Sequence, residues 1–289
     1  MRFIIATPVY NGLPTLPRCV GSVRGQEPWV ERRHIIQDGG STDGSRKWLS
    51  QATGLEAVCE KDAGMYDAIQ RAWKRGDGDI YSWLNADEQY LPGTLSAVRE
   101  VFAARPEVDM VFGNALIVGP NGEPLAARRE IPLRAWYVKN SFLYALSCTL
   151  FFRRRLLDQG RLRFNLAYRA VGDAELILRL LKEGAVVHHL PRYLSLFGVD
   201  GKNLSLSDRA QKEWAKIQDQ FGAYPFGWMR RLVQSVRMAE RAASGCYKTD
   251  TLSFAYALDE QPTYRHHRDI RLGFRFTFNR ALAQLQEIR

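Results

Sequence analysis

Apolar residues enter this chain in short blocks that stop at polar, glycine-rich turns. Arg2-Phe3-Ile4-Ile5-Ala6-Thr7 reads as a strand, Pro8-Val9-Tyr10-Asn11-Gly12 as a turn, and Leu16, Val20 and Val23 as the core-facing positions of a helix. His34-Ile35-Ile36-Gln37 is a second strand. It runs into Asp38-Gly39-Gly40-Ser41-Thr42-Asp43-Gly44, where glycines let backbone approach a ligand and Asp43 or Thr42 can cap the next helix.

The alternation continues. Leu55 to Cys59 predicts a third strand, Met65 to Arg75 a helix with Ile69, Ala72 and Trp73 near one face, and Ile80 to Leu84 a fourth strand. A helix is expected from about Pro92, with Leu95, Val98 and Phe102 inward. Val108 to Val118 predicts one or two strands, broken by Gly119-Pro120-Asn121-Gly122. Strand-helix alternation of this kind predicts an α/β fold with a mostly parallel sheet up to about residue 115 and mixed strands after it. Residues 126–147 lack a clean period and read as loop-rich, Asp173 to Glu183 reads as a helix, and Gly222 to Pro225 marks a boundary.

Two predicted strands end in carboxylates. The second reaches Asp38, and the fourth breaks off in Asn85-Ala86-Asp87-Glu88 before Leu91-Pro92-Gly93. Acidic groups at the carboxyl ends of sheet strands suit a divalent cation and a phosphorylated ligand.

Composition narrows the class. With 289 residues, 46% of them hydrophobic, the chain can bury an ordinary core. The four cysteines stand far apart without C-x-x-C spacing, which points to a reducing compartment rather than a disulfide framework or zinc site. No run of about 18 apolar residues occurs, and the start of the chain reads as a core strand. The expectation is a cytoplasmic protein, free or peripheral at the inner face of the membrane. The net charge is +10 and uneven: 11 Lys or Arg stand against 6 Asp or Glu from Pro225 onward, and 30 against 25 before it. Such a balance suits nucleic acid, an anionic membrane or an acidic substrate, and no nucleic-acid motif favours the first.

Five strings, TPVYNG, QDGGSTDGS, EKDAGMYDAIQRA, YSWLNADEQYLPG and VGDAELILRL, occur in the order and at roughly the spacing of the family 2 glycosyltransferases, and the resemblance covers about residues 1–220. It implies a GT-A Rossmann-like α/β sheet flanked by helices, over 1–224, with a nucleotide-sugar half (about 1–115) and an acceptor half (about 116–224). A basic, amphipathic helical tail would occupy 225–289. The implied activity is inverting transfer of one sugar from a nucleoside-diphosphate sugar, UDP ahead of GDP, to a glycan or lipid-linked acceptor in cell-surface polysaccharide synthesis.

The same resemblance assigns residues. Asn85-Ala86-Asp87 stands at the family's Asp-x-Asp motif with the first carboxylate missing, which makes Asp87 the principal ligand for Mg²⁺ or Mn²⁺ and leaves Asn85 to hydrogen-bond sugar or ribose. Thr7, Pro8, Tyr10 and Asp38 match positions that hold base and ribose, with Tyr10 offering a ring to stack and Asp38 an acceptor for a base N–H. Tyr10 could instead be a simple core aromatic. Asp62 matches a base or ribose contact, and Asp67 either a contact or a helix cap. Asp173 is the implied catalytic base, held ionised by its helix amino terminus, with a plain N-cap as the alternative. Asp200 lies where some relatives carry a histidine near the diphosphate, and Lys202 could pair with phosphate. The adjacent His188 and His189 would point to opposite faces of a strand and so make a poor metal pair.

In the tail, Phe226, Met229, Leu232, Val233, Val236 and Ala239 recur at helical spacing beside Arg230, Arg231, Arg237 and Arg241. Such a helix can lie on an anionic bilayer or pack on the catalytic domain. Removal of 225–289 is expected to spare the core if the tail is separate from it. Two other classes fit parts of the pattern. A nucleotide-sugar-binding module without turnover would use Asp38 and Asp87 but not Asp173, and a nucleic-acid-binding protein would account for the charge but not the acidic strand ends.

Overall fold

The computed structural model describes residues 1–200, 207–249, 251–261 and 263–272. Lys202 and the end of the tail, 273–289, lie outside the described residues.

Strand β1 (Phe3–Val9) lies at the centre of its half, between β2 (Arg32–Asp38) and β4 (Ile80–Trp83), with β3 (Glu56–Cys59) at the edge, all parallel. Alternate residues of β1 enter opposite layers. Ile4 and Ala6 pack into one core with Ile69 and Trp73, while Phe3 and Ile5 pack into a second core with Cys19, Leu95 and Phe102. The two-residue period of a strand thus builds a three-layer sandwich. Helix α3 (Met65–Arg75) covers one face, and α1 (Leu16–Arg24) and α4 (Thr94–Ala104) cover the other. Helix α2 (Ser45–Gln51) connects β2 to β3.

Beyond β4 the sheet becomes mixed. Its order is β3-β2-β1-β4-β8-β6-β9-β5, with β7 beside β6, making nine strands. β8 (Phe151–Arg153) runs antiparallel to both β4 and β6 (Met110–Val118). β9 (Val187–Gly198) is parallel to β6, while the short β5 (Gln89–Tyr90) and β7 (Pro124–Arg128) are antiparallel to their neighbours. The loop-rich stretch 126–147 is partly ordered: it holds the end of β7 and helix α5 (Ala135–Asn140). After α6 (Arg154–Asp158), helix α7 (Gly172–Lys182) buries Leu176, Ile177 and Leu180 in the same core as Trp73.

The tail departs from the helical expectation. Helices α8 (Asp208–Gln220) and α9 (Gly227–Ala243) are followed by an antiparallel hairpin, β10 (Thr251–Ala257) with β11 (Tyr264–Arg271). Phe254 and Tyr256 of the hairpin pack with Leu116, Val118 and Leu196 of the sheet, and Val233 of α9 enters the main core. The Gln89 amide also exchanges two hydrogen bonds with the Ala257 backbone, at 3.1 and 2.8 Å. The tail is therefore packed on the sheet.

Candidate active site

The carboxyl ends of β1, β2 and β4 open on a cleft of about 1170 Å³. Its floor on the strand side is built by two laced loops. Asn11, in the left-handed region at φ 54°, accepts the Thr42 N–H at 2.8 Å and donates its own N–H to Ser41 at 2.8 Å, while Asp43 accepts the Leu13 N–H at 2.9 Å. This lacing holds Tyr10 on the rim, 71% exposed, which excludes the core-aromatic reading. Pro8 also lines the cleft.

Thr7 is not brought to it. The residue is fully buried and its hydroxyl meets His34 at 2.8 Å beneath the sheet end. Asp38 is buried as well, its Oδ1 accepting the Gly40 and Ser41 N–H groups at 2.6 and 2.7 Å and so shaping the turn. Its Oδ2 is buried without a hydrogen-bond partner. Gly39 lies between it and the cleft, and a Cβ there would come within 2.7 Å of the Asp62 carboxylate. Asp62 lines the cleft with Lys61, and burial pushes its carboxyl above the usual range. Asp67 instead accepts the Ala63 N–H at 2.9 Å and pairs with Arg71 at 2.9 Å, which fixes the start of α3.

At the end of β4, the buried Glu88 accepts the Asn85 N–H at 2.8 Å and the Ser147 hydroxyl at 3.1 Å. That closes the turn and aims Asp87 into the cleft. Asp87 is exposed to solvent there, and the surrounding protein, with Asp200 after it, pushes its carboxyl above the usual range. Asp200 follows β9, whose Gly198 passes so close that a Cβ would sit 2.7 Å from the Asp87 carbonyl oxygen. The side-chain oxygen of Asn85 is buried with no partner.

Across the cleft, Asp173 stands in the first turn of α7. Its Oδ1 accepts the Tyr66 hydroxyl at 3.1 Å and the Ala174 N–H at 2.9 Å. Helix position alone predicts a lowered pKa, but burial outweighs it and raises this carboxyl above the ordinary range. Three residues escaped the sequence reading. Glu213 of α8, itself buried, accepts the N–H groups of Arg169 and Ala170 at 3.0 and 2.8 Å and thereby sets the entry into α7. Arg169 reaches over to the Ala63 carbonyl and lines the cleft. Phe142, after α5, is an exposed ring on the far wall, opposite no sequence signal beyond being aromatic. His188 and His189 take structural roles, meeting Arg105 at 3.3 Å and stacking on Phe112 at 4.7 Å.

The sequence profile described as "Glycosyl transferase family 2" matches residues 4–166, more than half of the chain. The chain belongs to this family. An uncharacterized glycosyltransferase of Mycobacterium tuberculosis is 30% identical over 112 residues, which is 38% of this chain and 43% of the relative. The undecaprenyl-phosphate 4-deoxy-4-formamido-L-arabinose transferase of Proteus mirabilis is 29% identical over 115 residues, 37% of this chain and 35% of the relative. The matches thus span less than half the length of these relatives. Among solved structures, S. aureus TarS in complex with UDP-GlcNAc superposes with a TM-score of 0.60 at 14% identity, over 86% of this chain and 76% of that one. The mannosyltransferase PcManGT from Pyrobaculum calidifontis, in complex with GDP-Man and Mn²⁺, gives 0.54 at 18% identity, over 84% and 75%. These likenesses establish the GT-A architecture, and the profile match establishes the family.

Proposed function

We propose that this glycosyltransferase moves one sugar from a nucleoside-diphosphate sugar, UDP ahead of GDP, to a lipid-linked or glycan acceptor in cell-surface polysaccharide synthesis, with inversion at the anomeric carbon. The observation that carries the proposal is a single cleft of about 1170 Å³ that gathers Tyr10, Asp62 and Asp87 on the strand side and Asp173 on the opposite wall. Tyr10 would stack on the base and Asp62 would hold base or ribose. Asp38 acts behind Gly39, by shaping the turn beneath that contact.

Two like-charged oxygen donors, Asp87 and Asp200, face the same space, and the unpartnered Asn85 oxygen lies beside them. This donor set fits a hard cation such as Mg²⁺ or Mn²⁺. Among the described residues no cluster of three or more acidic, histidine or cysteine side chains is arranged to hold one alone, so diphosphate and water would complete the shell. When bound, such an ion supplies charge stabilisation to the departing diphosphate. The protein's own work is then to hold the donor between Tyr10 and Asp87 and to receive the acceptor's proton on Asp173. Attack from the Asp173 side, opposite the diphosphate, inverts the anomeric centre. The relative that uses undecaprenyl-phosphate supports a lipid-linked acceptor.

The test is a thermal-shift panel of nucleotide sugars with and without each metal, which reports base and sugar together. Stabilisation by a nucleoside-diphosphate sugar only when Mg²⁺ or Mn²⁺ is present supports the proposal. A folded protein indifferent to the whole panel would overturn it.

A further inference from the structure

Helix α9 is turned opposite to the usual arrangement of a basic surface helix. Arg237 is buried between the rings of Phe142 and Tyr144, with its guanidinium carbon 4.6 and 5.0 Å from their centroids and its Nη1 3.7 Å from Glu130 Oε2. Arg241 donates to the Arg129 carbonyl at 2.7 Å, and Arg230 to Gln218 at 2.7 Å. Of the helix's four arginines only Arg231 faces out. The outward face instead carries Trp228, 65% exposed, Leu232, 58%, and Val236, 42%, one turn apart, with Phe226 just before them. No acidic residue is exposed on this helix: Glu240 is turned in against Arg134 at 2.6 Å.

This apolar stripe adjoins the acceptor wall. Arg237 packs under Phe142, which lines the cleft, and Trp136 of α5, itself exposed, donates its indole N–H to Tyr224 at 3.3 Å just ahead of the stripe. Phe142, Leu143 and Trp214 make that end of the cleft apolar. We infer that the outward face of α9 docks on an anionic lipid bilayer, seating Trp228, Leu232 and Phe226 at its interface so that the acceptor end of the cleft opens beside the headgroups. Aromatic and aliphatic side chains with a single cation and no anion match that surface in both polarity and sign. No helix among the described residues is long and apolar enough to cross a membrane, so attachment is peripheral at this helix. The inference rests on the lipid-linked arm of the proposed function, because a glycan acceptor free in solution would not require it. It also relocates the attraction, from the arginines that the sequence pattern suggests to the apolar residues between them.

The experiment is co-sedimentation of the full chain with vesicles of phosphatidylglycerol and phosphatidylcholine, beside a Trp228→Gln/Leu232→Gln variant. Both positions are exposed and glutamine keeps helix propensity, so the variant should fold and should bind nucleotide sugar like the parent. The expected result is binding by the parent that weakens only modestly with salt and falls at least tenfold in the variant. Equal vesicle binding by both proteins, or none by the parent at low salt, would overturn the inference. So would a parent that is dimeric in light scattering where the variant is monomeric, which would give the stripe to a second copy. Nucleotide-sugar binding measured on the same preparations reads the functional proposal separately.

Discussion

Asp173 takes a hydrogen bond from Tyr66 at the start of a helix and still carries a raised pKa, because burial is the larger influence. As a base it must be ionised, so kcat/KM should fall as the pH drops through that raised value, at a higher pH than an ordinary aspartate would give. Tyr66→Phe removes a donor to the charged form and should shift the acid limb further upward, which a pH–rate profile reads directly. Stability runs the other way. A carboxyl raised on folding stabilises the folded state below its unfolded pKa, and that contribution is lost as the pH rises through the folded value. Asp173→Asn should therefore lower turnover by roughly 10²–10⁴-fold without lowering the melting temperature at neutral pH, and with nucleotide affinity nearly intact. Asp87→Asn should instead weaken metal-dependent donor binding, as calorimetry with and without Mn²⁺ would show. Equal loss of donor affinity in both variants would contradict the division of roles. The strand-end and helix-start motifs made these carboxylates legible in the sequence. Thr7 lies off the cleft, and because every neighbour on its strand is apolar, nothing in the pattern tells whether its hydroxyl faces the cleft or, as found, His34.

Elements with a clean period were read almost to their ends. Helix α3 spans Met65–Arg75 as the spacing of Ile69, Ala72 and Trp73 predicts, and β1, β2 and β4 fall within a residue or two of expectation. What escaped were elements whose reason to form is tertiary. The two-residue β5 exists through pairing with β9, and β10–β11 through burial of Phe254 and Tyr256 against the sheet. Likewise, nothing local to Glu213 announces that it caps a loop some 40 residues earlier, as its separation from Ala170 shows. Glu213→Ala leaves those N–H groups without their acceptor, at a cost of about 1–3 kcal/mol each where buried. It should lower both the melting temperature and turnover. Gly198→Ala tests the approach of β9 to the metal-side turn. A Cβ there meets the backbone oxygen of Asp87, which cannot rotate away, so donor affinity in the presence of metal should fall while Asp173-dependent pH behaviour stays in place.

At the scale of the whole molecule, the positive charge concentrated after residue 225 is only partly a surface property. Arg237 and Arg241 gather at the buried Glu130, Arg18 donates to Tyr256 at 2.6 Å, and Val233 and Cys246 complete the core under the acceptor wall. Removal of 225–289 should consequently destabilise the sheet domain, by several kcal/mol and so by roughly 10 °C, rather than leave it intact. A melting curve of the truncated chain decides this. Charge counting could not separate the two outcomes, since it registers arginines without their direction. The central claim is that one cleft holds a nucleoside-diphosphate sugar through a metal-side carboxylate on β4 and activates an acceptor through a separate carboxylate on α7. It is tested most directly by nucleoside-diphosphate release from the donor with and without Mg²⁺ or Mn²⁺, in the parent and in Asp173→Asn. The predicted result is metal-dependent release by the parent, and donor binding without comparable release by the variant. Release that ignores metal, or a variant as active as the parent, would contradict it.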